Sequence, residues 1–74
     1  MTTETRTFIA VQINGATQQV PGNLDIRRLL EHLAITAERV AVERNRKVIR
    51  KHDWSATVIA AGDVLEIVTF VGGG

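Results

Sequence analysis

Three residues without side chains close the sequence. Gly72, Gly73 and Gly74 directly follow the strand-like run Val64-Leu65-Glu66-Ile67-Val68-Thr69-Phe70-Val71. Glycine is the costliest residue to order and the one that passes most easily through a narrow opening. At an average usage of about 7%, three glycines in the last three positions arise by chance in roughly 0.03% of chains, so the ending calls for a reason. The reading that uses these residues best sends the Gly74 carboxyl into another protein's active site. Extended, Val71 to Gly74 spans about 13 Å, enough to carry a carboxylate off a domain surface. A carboxylate with an ordinary pKa of about 3.3–3.7 is ionised at neutral pH and is a poor electrophile. It must be activated before it can acylate anything, most commonly as an acyl-adenylate formed from ATP. A chain of 74 residues is not expected to supply a nucleotide pocket and a magnesium site as well. The activating machinery is therefore expected to be a separate enzyme, with this chain its protein substrate and not an enzyme itself. A phosphate-binding loop is not expected, because glycines of that kind lead into a helix whose first amides hold the phosphate. The plain alternative is a frayed terminus.

The remaining chemistry-bearing residues point less far. His52, Asp53 and Ser55 have the types of a nucleophilic triad, but a triad is a spatial arrangement with an oxyanion hole. Sequence neighbours point in different directions, and a turn with a capped helical start at Asp53 is expected there instead. His32 and His52 lack the paired spacing of metal ligands, so no metal site is expected and both histidines are read as surface residues. Arg44, Arg46, Lys47, Arg50 and Lys51 form a local cationic cluster on a chain whose formal net charge is only +1. A solvated hairpin or contact with an acidic partner surface fits that balance better than nucleic acid or an anionic membrane. The three aromatics, Phe8, Trp54 and Phe70, are not interleaved with the cations as a base-stacking platform would require. Trp54 is expected to fill the core.

One domain of this length buries only around 60% of its unfolded surface, which favours a binding face or a presented tail over an enclosed pocket. No cysteine is present, which excludes disulfides, thiol nucleophiles and thiolate metal sites. A small domain without disulfides fits a reducing cytoplasm. No apolar run approaches the ~20 residues of a membrane span, and residues 1–7 read as a polar, disordered leader without a signal-peptide core.

The elements that must position the tail follow from periodicity. Ile9, Val11 and Ile13 alternate onto one face of a first strand over 8–13. Asn14-Gly15 suits a type I′ hairpin turn, Ala16 to Val20 is a polar edge strand, and Pro21-Gly22 ends it. Asp25 is a natural helix cap, with Ile26, Leu29, Leu30 and Leu33 on one helical face and Leu24 placed to staple onto Leu29. Arg27, Arg28, Glu31 and His32 fall outside, and the helix fades near Ala34-Ile35. Val40 to Glu43 is a third strand, Asn45-Arg46 a turn, and Val48-Ile49 a short strand. Ala61-Gly62-Asp63 turns into the last strand, 64–71, apolar enough to suggest a central position covered on both faces. One amphipathic helix across a mixed sheet is an α+β, ubiquitin-like β-grasp layout. It spans 8–71, with 72–74 a flexible reactive tail.

With these features together, the chain resembles the ThiS family of sulfur carriers in thiamine biosynthesis, over about Phe8 to Gly74. The resemblance rests on Asn14-Gly15, the Asp25–Leu33 helix with its Leu29-Leu30 pair, and Val40-Ala41-Val42-Glu43-Arg44-Asn45. It rests further on Trp54 in a short turn, Ala61-Gly62-Asp63, and Glu66-Ile67-Val68-Thr69-Phe70-Val71-Gly72-Gly73-Gly74. It implies adenylation of the Gly74 carboxylate by a ThiF-like adenylyltransferase that uses ATP. Conversion to a thiocarboxylate follows, with sulfur drawn from cysteine by a desulfurase-type donor, and then transfer to thiazole synthase. No cofactor bound to the carrier is implied. Gly72 and Gly73 would enter the partner's active site, and Val68, Phe70 and Val71 would help dock it. The segment Arg46 to His52 is more basic than in many relatives, which show Gly or Glu in the turn and Pro before the Trp. A carrier serving molybdopterin or another sulfur route has the same chemistry with a different acceptor. A β-grasp module binding through the basic hairpin would leave the tail dispensable.

Overall fold

The computed structural model describes residues 7–70. Strand β1 (Phe8–Ile13) and strand β2 (Ala16–Pro21) form an antiparallel hairpin that pairs Phe8 with Pro21 and Ile13 with Ala16. Its turn has Asn14 at φ 52° and Gly15 at φ 86°, the left-handed pair that a type I′ connection demands. Helix α1 (Ile26–His32) follows. Asp25 caps it by accepting the Arg28 N–H at 2.8 Å, and Ile26, Leu29 and Leu30 are buried. Leu24 and Leu33 pack half-buried against the same core. The helix stops in a Schellman arrangement: Ala34 sits at φ 59° while the Ala34 N–H donates to the Glu31 carbonyl and the Ile35 N–H to the Leu30 carbonyl. A side chain in this left-handed position is tolerated because it lets Ile35 fold back onto the core.

Strand β3 (Val40–Arg44) and the short strand β4 (Lys47–Ile49) make a second antiparallel hairpin. A 3-10 turn over Lys51–Ala56 leads on toward strand β5 (Val64–Thr69). The sheet order is β2-β1-β5-β3-β4, with β5 parallel to β1 and antiparallel to β3. The sheet is therefore mixed, with β2 at one edge as the sequence suggests. Trp54 is almost fully buried between the helix-bearing face and the second hairpin, and its indole N–H donates to the Ile49 carbonyl at 3.0 Å. It fills the core with its one polar atom satisfied.

Two expectations need correction. Asp53 does not cap the turn that holds Trp54. The capping position is Arg50, without a side-chain bond, and the Asp53 N–H donates to the Arg50 carbonyl inside the first turn. An aspartate can cap only from the position before the first turn, and here that turn begins earlier than the Asp-Trp pair suggests. Strand β5 is central but is covered on one face only. Leu65 and Ile67 are buried, while Val64, Glu66 and Val68 are exposed. A single short helix supplies one covering layer, and nothing else among the described residues lies over the other side. β5 also ends at Thr69; Val71 and the three glycines, like residues 1–6 of the expected leader, lie outside the described residues.

Candidate functional site

The strand that leads to the glycine tail is held from both sides. Toward β3, the Asn45 N–H donates to the Val64 carbonyl at 2.7 Å and the Phe70 N–H to the Arg39 carbonyl at 2.8 Å. Even-numbered residues of β5 thus turn their backbone groups to β3, and odd-numbered ones face β1. Toward β1, the Gln12 N–H donates to the Asp63 carbonyl and the Asn14 N–H to the Leu65 carbonyl, each at 2.9 Å.

The start of β5 is fixed by Asp63, which is buried. One carboxylate oxygen accepts from Arg44 Nε and from the Ala60 N–H, both at 2.8 Å, and the other accepts from Asn45 Nδ2 at 3.1 Å. The Ala60 to Asp63 turn is closed by the Asp63 N–H donating to the Ala60 carbonyl, with Gly62 at φ 86° in the position where a type II turn requires it. Burial alone raises the Asp63 pKa. The bonds from Arg44, the Ala60 amide and Asn45, together with the arginine charge, outweigh that and hold it below the usual 3.8. Asn45 works in both directions, because its Oδ1 also accepts from the Val64 N–H at 2.9 Å. The Asp63 cluster therefore ties the second hairpin to the first residue of β5.

On the face away from α1, Glu43 of β3 and Glu66 of β5 lie directly opposite each other. With Arg46, Val64 and Val68 they line an open groove of about 490 Å³. Neither glutamate forms an ion pair among the described residues, and facing like charges in a sheet are mildly unfavourable. Val68 is 51% exposed on this face, and Phe70, 55% exposed, follows the end of the strand. The other expected tail residues, Val71, Gly72, Gly73 and Gly74, lie outside the described residues. His52 and Asp53 approach to 3.5 Å, yet both are largely exposed, and Ser55 is exposed without a bond to either. Nothing there excludes water or builds an oxyanion hole. Among the described residues no cluster of three potential metal ligands occurs, and no helix is long and apolar enough to cross a membrane.

From the sequence, Asn14, Asn45 and Asp63 read as turn formers only, and the Glu43–Glu66 pair leaves no local signal. An asparagine at the first left-handed position of a hairpin turn can reach a neighbouring strand. Which strand lies beside it depends on the sheet order.

A five-stranded mixed sheet crossed by one helix, with the last strand in the middle and continuing toward the tail, defines a ubiquitin-like β-grasp protein. Within that class, residues 11–74 match the family model described as the ThiS family. The crystal structure of the thiamine biosynthesis protein ThiS from Geobacter metallireducens superposes with a TM-score of 0.79 at 33% identity, over 89% of this chain and 100% of that one. The chain belongs to the ThiS family. A thiazole synthase of Paramagnetospirillum magneticum is 37% identical over 62 residues, which are 84% of this chain but 19% of that protein. This chain thus spans about a fifth of that relative's length. The uncharacterized protein ycf40 of Porphyra purpurea is 36% identical over 66 residues, 89% of this chain and 93% of that protein.

Proposed function

We propose that this protein is a sulfur carrier for thiazole formation in thiamine biosynthesis, with the Gly74 carboxylate as its reactive group. The observation that carries this reading is the family match through the terminal glycines. A thiazole synthase that contains a segment similar to this chain supports that enzyme as the sulfur acceptor. A ThiF-like enzyme joins the carboxylate to AMP from ATP, releasing pyrophosphate. The outer sulfur of a donor persulfide, drawn from cysteine, then forms the carbon–sulfur bond as the bond to AMP breaks. A thiol cleaves the remaining S–S bond, leaving the thiocarboxylate on the carrier and a disulfide on the donor side. The Gly74 carboxylate is the nucleophile that attacks the α-phosphorus of ATP; beyond it, the carrier contributes no acid, base or nucleophile to these steps. It holds the tail at the end of a clamped strand, with Val68 and Phe70 exposed beside it for docking. Gly72 and Gly73 thread into the partner, because a Cβ at either position would widen the strand that must pass.

The test is intact-protein mass spectrometry after incubation with ATP, a sulfur source and a ThiF-like enzyme. The expected result is a mass gain equal to exchange of one oxygen for sulfur, mapped to Gly74 and abolished by deleting Gly73 and Gly74. No adenylate and no gain, with an enzyme active on its own carrier, would overturn the reading.

A further inference from the structure

Strand β5 outruns its parallel neighbour. β1 stops at Ile13 and the chain turns away through Asn14-Gly15, while β5 continues to Thr69. At Ile67 no residue of β1 remains to pair with, and the Asn14 side chain takes the place of a peptide group. Its Oδ1 accepts the Ile67 N–H at 2.7 Å and its Nδ2 donates to the Ile67 carbonyl at 3.1 Å. Thr69 is the next residue with backbone groups facing this edge. Among the described residues neither its N–H nor its carbonyl has a hydrogen-bond partner. Thr69 is exposed, as is Gly15, where a Cβ meets nothing within 4 Å. Val68 and Phe70 lie exposed on either side of Thr69.

We propose that the sulfur-accepting enzyme adds an extended segment of its own backbone to this edge at Thr69, continuing the sheet where β1 leaves it. The inference rests on the carrier reading and assigns how the tail is registered in the acceptor. An unpaired strand edge is a ready template for a strand from another chain, and main-chain bonds in such an addition supply affinity while side chains supply specificity. The Asn14 amide marks where the protein's own pairing ends. Thr69 is where the partner's begins, and Val68 and Phe70 offer the incoming strand apolar contact. Backbone pairing two residues before Val71 fixes how far the glycines reach without requiring any side chain on them.

The test replaces the Thr69 amide by an ester in the full chain through semisynthesis, which removes the N–H and keeps the side chain and shape. Affinity for thiazole synthase is measured by calorimetry and folding by thermal melting. The expected result is about a ten-fold rise in Kd, as loss of one main-chain bond produces, with the melting temperature falling by only a few degrees, because the ester also weakens the Val68 carbonyl that faces β3. Thr69→Pro, which removes the same N–H, is expected to weaken binding in the same direction. An ester that binds as tightly as the amide overturns the proposal. A large fall in melting temperature also overturns it, because the N–H would then belong to the fold. If the unmodified chain neither binds thiazole synthase nor gains sulfur at Gly74, the carrier reading itself has failed. Sulfur gain and binding with no ester effect removes only the strand addition.

Discussion

The two hairpin turns are built alike and finished differently. Asn14-Gly15 and Asn45-Arg46 both place two consecutive residues at positive φ. In both, the asparagine side chain reaches β5, Asn14 at Ile67 and Asn45 at Val64, with a second bond from Asn45 to Asp63 just before the strand. The first turn uses glycine at its second position, where the left-handed conformation is unstrained. The second uses Arg46 at φ 72°, where a side chain is unfavourable by roughly 1 kcal/mol. Arg46 also lines the groove with Glu43 and Glu66. The difference teaches that the Asn14 turn is optimised for the fold, whereas the Asn45 turn carries a charge at the groove at some expense in stability.

The sharpest way to break the comparison is to remove what only the second turn is bonded to, the buried carboxylate of Asp63. Asp63→Ala leaves Arg44 and Asn45 without their shared acceptor. It is expected to destabilise by about 3 kcal/mol, roughly 15 °C in Tm for a domain this size. Because the folded pKa of Asp63 lies below the usual 3.8, its contribution is present above about pH 4 and is lost as pH falls through the lower folded value. Chemical denaturation between pH 7 and pH 2 should show a steeper acid loss in the wild type than in Asp63→Asn. Equal slopes would remove Asp63 from the clamp.

Next in size are the two asparagines. Asn14→Ala and Asn45→Ala should each destabilise by about 2 kcal/mol, since each leaves a β5 amide without its acceptor. Hydrogen exchange separates them: Asn14→Ala should expose the Ile67 amide, and Asn45→Ala the Val64 amide. Exposure of both amides in either variant would mean that the clamps act as one unit. The smallest effect is a gain. Arg46→Gly should stabilise by about 1 kcal/mol through relief of the left-handed strain, read as a rise of several degrees in Tm, with no change at the Asn14 turn.

Much of the fold is legible in the sequence because it is written in local patterns. Alternation at Ile9, Val11 and Ile13, the cap at Asp25 with its apolar helical face, and the two Asn-led turns each need only a few adjacent residues. The covering of β5 is not local. Val64 and Val68 look like core residues in a run that also holds Leu65 and Ile67, and only the presence of one helix layer decides which pair stays exposed. The Asp63 cluster gathers residues 44, 45, 60 and 63 through the sheet order, which periodicity does not encode. Asp53 beside Trp54 imitates a cap because aspartate before an aromatic is a common helix start, although here the turn had already begun. The candidate site is the most legible part as chemistry, since a glycine ending needs no fold to be noticed. The backbone edge at Thr69 is the least legible, since it depends on where β1 stops.

The sheet order has a consequence for assembly of the domain. In β2-β1-β5-β3-β4, the two hairpins are joined in one sheet through β5, and the pairing of Gln12 with Val64 closes a long stretch of chain. Long-range closure of this kind slows folding. Until β5 is in place, the two hairpins have no shared ladder among the described residues. The strand that completes the sheet is also the one that precedes Val71 and the glycines in the sequence, so joining the two halves and fixing that end of the described domain are one event.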